Sequence, residues 1–175
     1  MVSDKGDIVI VGGGIAGLTL GLCLQAQGIA NRVFERSTEI SPLGVGINIL
    51  PHASTVLHDL DLGDAMAGVA VKTSEAAFFN RFGQLIYSDP LGLAAGYATP
   101  QYSVHRGDLQ MVLKAAYVER CGAENLIMDA TCTGYEQKGD GVTLRFEKTS
   151  TGDALPEGTA GAVVACDGLH SLIRK

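Results

Sequence analysis

The sequence predicts an α/β fold organised around a parallel β-α-β unit. Three observations carry this. Asp7–Val11 (DIVIV) is a short β-branched run of the kind buried on both faces of a sheet. Gly12-Gly13-Gly14 breaks it, and Ile15–Gln27 then runs at helical length, apolar almost all round. Arg32–Glu35 is a second short strand. Two parallel strands need a crossover, and the helix between them supplies it.

Each further element follows from local pattern. Gly28 suits the C-terminal cap of the first helix. Ser37–Asn48, with Pro42, Gly44 and Gly46, reads as a loop. Ala53–Leu60 and Gly63–Ala67 are short helix candidates. Lys72–Ser88 reads as a hairpin turning near Phe82-Gly83, and Asp89–Thr99 as an irregular loop. Gln101–His105 is a strand. Asp108–Cys121 carries apolar residues at helical spacing: Leu109, Val112, Leu113, Ala116 and Tyr117. Residues 130–137 and 141–148 flank a Gly139-Asp140-Gly141 turn as a second hairpin. Thr151–Gly158 is a loop and Ala160–Cys166 a last apolar strand. No internal repeat or long linker interrupts the chain.

Composition excludes several classes. With 46% apolar and 18% charged residues, the 175-residue chain can build a hydrophobic core. A net charge of −6 without a basic stripe argues against a nucleic-acid partner. Ile8–Asn31 lacks charge, which invites a membrane reading. Its glycines, Gln25 and Gln27 fit a buried strand-turn-helix better, so no membrane partner is expected. Cys23, Cys121, Cys132 and Cys166 form neither C-x-x-C nor a metal-ligand spacing, which suggests reduced thiols, a cytoplasmic setting and no metal.

The turn is where chemistry enters. Gly12-x-Gly14-x-x-Gly17 follows a strand and opens a helix, the context that separates a dinucleotide fingerprint from chance. Gly12 permits the tight turn, Gly14 lets the backbone approach a pyrophosphate, and Gly17 lets helix and strand pack closely. The helix N-terminus, with Ile15 and Ala16 in its first turn, offers N–H groups and a partial positive charge to phosphates. Glu35 ends the second strand about 20 residues on, where an acid binds ribose hydroxyls. An acid there disfavours a 2′-phosphate, so NADP is not the occupant of this site. FAD and NAD remain open on these residues alone.

Three further segments narrow the choice: Gly44-Val45-Gly46-Ile47-Asn48, His105-Arg106-Gly107-Asp108-Leu109, and Cys166-Asp167-Gly168-Leu169-His170-Ser171-x-x-Arg174. With the glycine fingerprint, their order resembles the single-component flavin hydroxylases, the p-hydroxybenzoate and salicylate hydroxylase family. Within it, Pro100–Met111 is similar to the corresponding stretch of the phenazine-modifying hydroxylases of pyocyanin biosynthesis. The resemblance spans the chain and implies a Rossmann-like FAD-binding fold with an added β-hairpin. It also implies that 1–175 form the N-terminal part of that domain, with 72–100 contributing to a substrate-domain sheet that the chain leaves incomplete.

The resemblance also implies roles. Gly12, Gly14, Ile15, Ala16 and Gly17 hold the pyrophosphate, Glu35 the adenosine ribose, and Arg36 lies on the adenine side. Gly46 lies against the flavin end, Arg106 reaches the pyrophosphate or ribitol, and the Cys132 backbone meets the adenine. Asp167 belongs to a motif linked to flavin and nicotinamide handling. The implied activity is hydroxylation of a small aromatic substrate, with FAD as cofactor, NAD(P)H as co-substrate and O2 as oxidant. No residue stands out as a catalytic acid or base. Two family features differ: Ala165-Cys166 stand where Gly-Ala is usual, and Asp61 where Gly is frequent. Two alternatives stay open: another flavoprotein with the same front end, such as an isoprenoid reductase or halogenase, and a non-catalytic nucleotide-binding module.

Overall fold

In the computed structural model, which describes residues 7–174, the β-α-β unit forms as its sequence requires. Strand β1 (Ile8–Val11) leads through the glycine turn into helix α1 (Ile15–Ala26) and back to β2 (Asn31–Phe34). α1 ends at Gly28, whose φ of +72° few other residues would adopt. The Gly28 and Ile29 amides donate to the Gln25 and Leu24 carbonyls at 2.8 and 2.9 Å, closing the helix end.

The remaining elements are β3 (Gly46–Ile49), α2 (Pro51–Asp59), α3 (Gly63–Val69), β4 (Ala70–Thr73), β5 (Glu75–Phe79), β6 (Leu85–Pro90), β7 (Gln101–His105), α4 (Arg106–Cys121), β8 (Leu126–Ile127), β9 (Ala130–Lys138), β10 (Gly141–Lys148), β11 (Gly158–Ala160) and β12 (Ala162–Ala165). They divide into two compact units, residues 42–112 and the flanking segments that end at Ser41 and resume at Leu113.

The flanking unit carries a four-stranded parallel sheet in the order β12-β1-β2-β8. Alternation along β1 sorts its side chains. Val9 and Val11 join Phe34, Ala130, Cys132, Leu144, Phe146 and Ala160 in one apolar cluster. Phe34 stacks on Phe146 with ring centroids 4.1 Å apart. That cluster lies against a second, antiparallel sheet, β11-β10-β9. Ile10 is fully buried, and its Cγ2 lies 3.3 Å from where a Cβ on Gly17 of α1 would stand.

A buried polar lock ties α1, β2 and α4 within this unit. The Tyr117 hydroxyl donates to Asn31 Oδ1 at 2.9 Å, and Asn31 Nδ2 donates to the Gly21 carbonyl at 3.0 Å. A Cβ on Gly21 would lie 2.4 Å from the Tyr117 ring, so the ring occupies the space that glycine leaves. Burial pushes the Tyr117 hydroxyl far above its ordinary value and keeps it a donor.

The 42–112 unit has a three-stranded antiparallel sheet, β3-β7-β4, and a separate two-stranded hairpin, β5-β6. Leu57, Leu60, Leu62, Met66, Tyr102, Val104 and Leu109 are among its buried apolar residues. His58 Nε2 lies 3.0 Å from the buried Tyr102 hydroxyl, linking α2 to β7. α2 starts at Pro51, whose missing N–H costs nothing there, and ends with Asp61 at φ +56°. That left-handed position explains why glycine suits residue 61.

Five expectations need correction. Gly46–Ile49 lies in the expected loop but is a strand, because its carbonyls and amides pair with Tyr102–His105. The Lys72–Ser88 hairpin starts later: Ala70–Thr73 pairs with β7, and only Glu75–Pro90 forms the hairpin. The final strand is two. Ala160 pairs with Val142 in one sheet and Ala162 with Ile8 in another, the chain crossing at Gly161. Gly92–Ala95, expected irregular, is a short 3-10 turn, and α4 starts at Arg106, two residues early.

Candidate functional site

The candidate site forms at the carboxyl end of β1. Gly12 donates its N–H to the Phe34 carbonyl at 2.8 Å and turns at φ +112°. A Cβ there would lie 2.3 Å from the Cys166 carbonyl oxygen, so the turn passes directly against the end of β12. A Cβ on Gly17 would lie 1.9 Å from the Gly12 carbonyl oxygen, which fixes α1 tightly on the turn. Gly14 differs: a Cβ there would meet no atom within 4 Å. Gly12 and Gly17 are closed by protein, and Gly14 opens outward.

Gly14 is also the N-cap of α1. No side chain caps that end and no acid lies in the first turn. Ile15 is half-buried and Ala16 exposed. The partial positive charge of the helix start therefore faces the open side of Gly14 without a protein anion in the first turn.

Glu35 reaches this turn from β2. Its Oε2 accepts from the Gly13 amide at 2.7 Å, and its Oε1 accepts from both the amide and the hydroxyl of Ser37 at 2.8 Å. The backbone under it is stitched to the β8–β9 connection. Ala130 and Asp129 amides donate to the Glu35 and Ser37 carbonyls at 2.9 and 3.0 Å. Gly13 and Ser37 are missing from the sequence-derived site. Only the length of the glycine run hinted at Gly13, where a Cβ would lie 2.9 Å from that of Glu35. Arg36, next in sequence, is exposed.

Asp167 follows β12, beside the residue that Gly12 abuts. Its Oδ2 accepts from the Leu172 amide at 2.9 Å. Its Oδ1 is buried and has no hydrogen-bond partner among the described residues. Burial raises its carboxyl, but the Ser171 hydroxyl and the Leu172 and Ile173 amides outweigh that and hold it below the ordinary value. It is an ionised acceptor with one oxygen unsatisfied, a costly arrangement unless a donor is supplied. Cys132 sits in the apolar cluster, its thiol 3.7 Å from the Gly134 carbonyl. Burial pushes both Cys132 and Cys166 thiols up, so neither is activated as a thiolate.

Two sequence-derived residues belong to the 42–112 unit. Gly46 opens β3 opposite His105. Arg106 is exposed and donates from Nη2 to the Leu43 carbonyl at 2.8 Å, its guanidinium lying over Gly44. His105 Nε2 lies 3.0 Å from the Gly44 carbonyl, which pins the same strap. Gly107 is required there, since a Cβ would lie 2.4 Å from Pro42 backbone. Among the described residues, Arg106 meets no carboxylate, and no cluster of His, Cys, Asp or Glu could hold a metal.

An outward-open glycine at an uncapped helix start, a fixed carboxylate one strand over, and an orphaned buried acceptor are what pyrophosphate and sugar hydroxyls require. The residues present thus fit the ADP half of FAD. Comparison with known proteins agrees. The chain is 43% identical over 169 residues to the phenazine 1,6-dicarboxylic acid hydroxylase PhzS of Lysobacter antibioticus, covering 96% of this chain and 42% of that protein. The p-nitrophenol 4-monooxygenase PnpA of Pseudomonas putida superposes with a TM-score of 0.82 at 23% identity, over 95% of this chain and 42% of that one. HpxO of Klebsiella pneumoniae, solved with FAD, gives 0.78 at 25% identity, over 96% of this chain and 41% of that one. The chain thus spans about two fifths of the curated relative's length. Residues 5–175 match the FAD binding domain family, and the chain belongs to that family.

Proposed function

We propose that this chain carries the ADP-gripping part of an FAD-dependent, NAD(P)H-using monooxygenase that hydroxylates a small aromatic substrate of phenazine or salicylate type. The observation that carries this is the 43% identity over 169 residues to a phenazine hydroxylase. FAD, when bound, would supply the redox chemistry between NAD(P)H and O2.

The chain's own residues bind and orient. Gly12, Gly14, Ile15, Ala16 and Gly17 present the backbone to the pyrophosphate. Glu35 accepts from the adenosine ribose, with Arg36 on the adenine side and the Cys132 backbone near it. Asp167 Oδ1 would accept a hydrogen bond from a cofactor hydroxyl. Gly46 and Arg106 are assigned to the cofactor on sequence resemblance, Arg106 as a charge partner for phosphate. Residues 72–100 would contribute strands to a substrate-binding sheet. The exposed Phe78, Phe79, Leu85 and Ile86 of β5–β6 suit that role. No helix among the described residues is long and apolar enough to cross a membrane.

The test is reconstitution. The full-length protein is expected to be yellow and to oxidise NAD(P)H faster when an aromatic substrate is added. A colourless protein that cannot be loaded with FAD overturns the proposal. The 175-residue chain alone is expected to bind FAD weakly and to lack hydroxylase activity.

A further inference from the structure

A carboxylate has about four lone-pair sites, and three of those on Glu35 are already taken by protein. Ser37 fills both sites of Oε1, through its amide and its hydroxyl, each at 2.8 Å. Gly13 takes one site of Oε2 at 2.7 Å. One site remains, on Oε2, the oxygen that faces the glycine turn. A ribose presents two adjacent hydroxyls, and a carboxylate can take both only if two sites are vacant.

We propose that Ser37 is a positioning residue that turns Glu35 into a reader of a single ribose hydroxyl. The side chain is held so that Oε1 is saturated and recognition falls on Oε2 alone. The holding points are rigid. The Ser37 carbonyl is gripped by the Asp129 amide at 3.0 Å, and Asp129 is itself fixed by the Ser150 amide and hydroxyl at 2.9 and 2.6 Å. The Ser37 hydroxyl is thus delivered to Oε1 by a braced turn rather than by a free side chain. The inference rests on the reading that Glu35 faces a nucleotide ribose.

The test is calorimetric titration of the protein with ADP, 2′-deoxy-ADP and 3′-deoxy-ADP. In the native protein, one deoxy analogue is expected to bind roughly tenfold more weakly than ADP and the other within about twofold, since a hydrogen bond to a charged group is at stake only once. Ser37→Ala vacates a site on Oε1, so the second analogue acquires a penalty of several-fold as well. Ser37→Thr retains the hydroxyl and keeps the native pattern. Equal losses for both analogues in the native protein overturn the inference and leave the nucleotide reading intact. A uniform change for all three ligands in Ser37→Ala also overturns it, because a merely structural serine would act that way. Absence of ADP binding, or equal binding of all three ligands, overturns the nucleotide reading and the inference together.

Discussion

Gly14 and Gly17 stand three residues apart, and the structure assigns them opposite jobs, so alanine at each separates fold from ligand. In Gly17→Ala the new Cβ would sit 1.9 Å from the Gly12 carbonyl oxygen, more than an ångström inside the 3.0 Å that real Cβ contacts respect. Backbone meets backbone there, so α1 must shift on the turn. Overpacking of this kind costs up to about 3 kcal/mol, offset by about 1 kcal/mol from alanine's better helix propensity. The net loss of about 2 kcal/mol corresponds to a fall in Tm of roughly 4–8 °C for a chain of this size. Gly14→Ala meets nothing within 4 Å, and φ −75° is open to any residue. Its stability cost is that of a poorer N-cap, under about 1 kcal/mol. The methyl group would stand where a pyrophosphate must approach, so ADP affinity is expected to fall at least roughly tenfold, about 1.4 kcal/mol. Thermal denaturation and ADP titration of both variants check this. A Gly14→Ala protein that binds ADP like the native one, or a Gly17→Ala protein of native Tm, would refute the reasoning.

Two other perturbations probe the frame around the site. Tyr117→Phe keeps the ring against Gly21 but strands the buried Asn31 Oδ1; the cost of about 1–3 kcal/mol is expected to lower Tm by several degrees, and an unchanged Tm would mean Asn31 finds another donor. Asp129 has its carboxyl held below the ordinary value, first by the Ser150 hydroxyl. A depressed folded value means that its contribution is fully present above the unfolded value of about 3.9 and is lost as pH falls through the folded one. The stability gap between native protein and Asp129→Asn, measured by urea unfolding, should therefore be open at neutral pH and close below about pH 4; a gap constant with pH contradicts the assignment.

Much of the parallel unit was legible because its signals are local. The DIVIV run, the glycine turn and the capping Gly28 each impose one conformation, and β1, α1 and β2 follow. What escaped depends on partners distant in sequence. Gly46–Ile49 is a strand only because β7 lies beside it. Ala160–Cys166 reads as one strand, although Gly161, a lone glycine in a strand pattern, marks the place where the chain changes sheets. The same limit applies to the site. The fingerprint glycines and Glu35 follow a spacing rule, whereas Ser37 and Gly13 matter only through where the Glu35 carboxylate points. Asp167 was found by resemblance; its unsatisfied oxygen is visible only in three dimensions.

The central claim is that the turn at Gly12–Gly17 and Glu35 grip the ADP half of FAD. Flavin fluorescence during titration with FAD and FMN, followed by competition with ADP, tests it most directly. FAD is expected to bind, ADP to displace it, and FMN, which lacks the AMP portion, to bind far more weakly. FMN binding as tight as FAD, with no displacement by ADP, would contradict the claim.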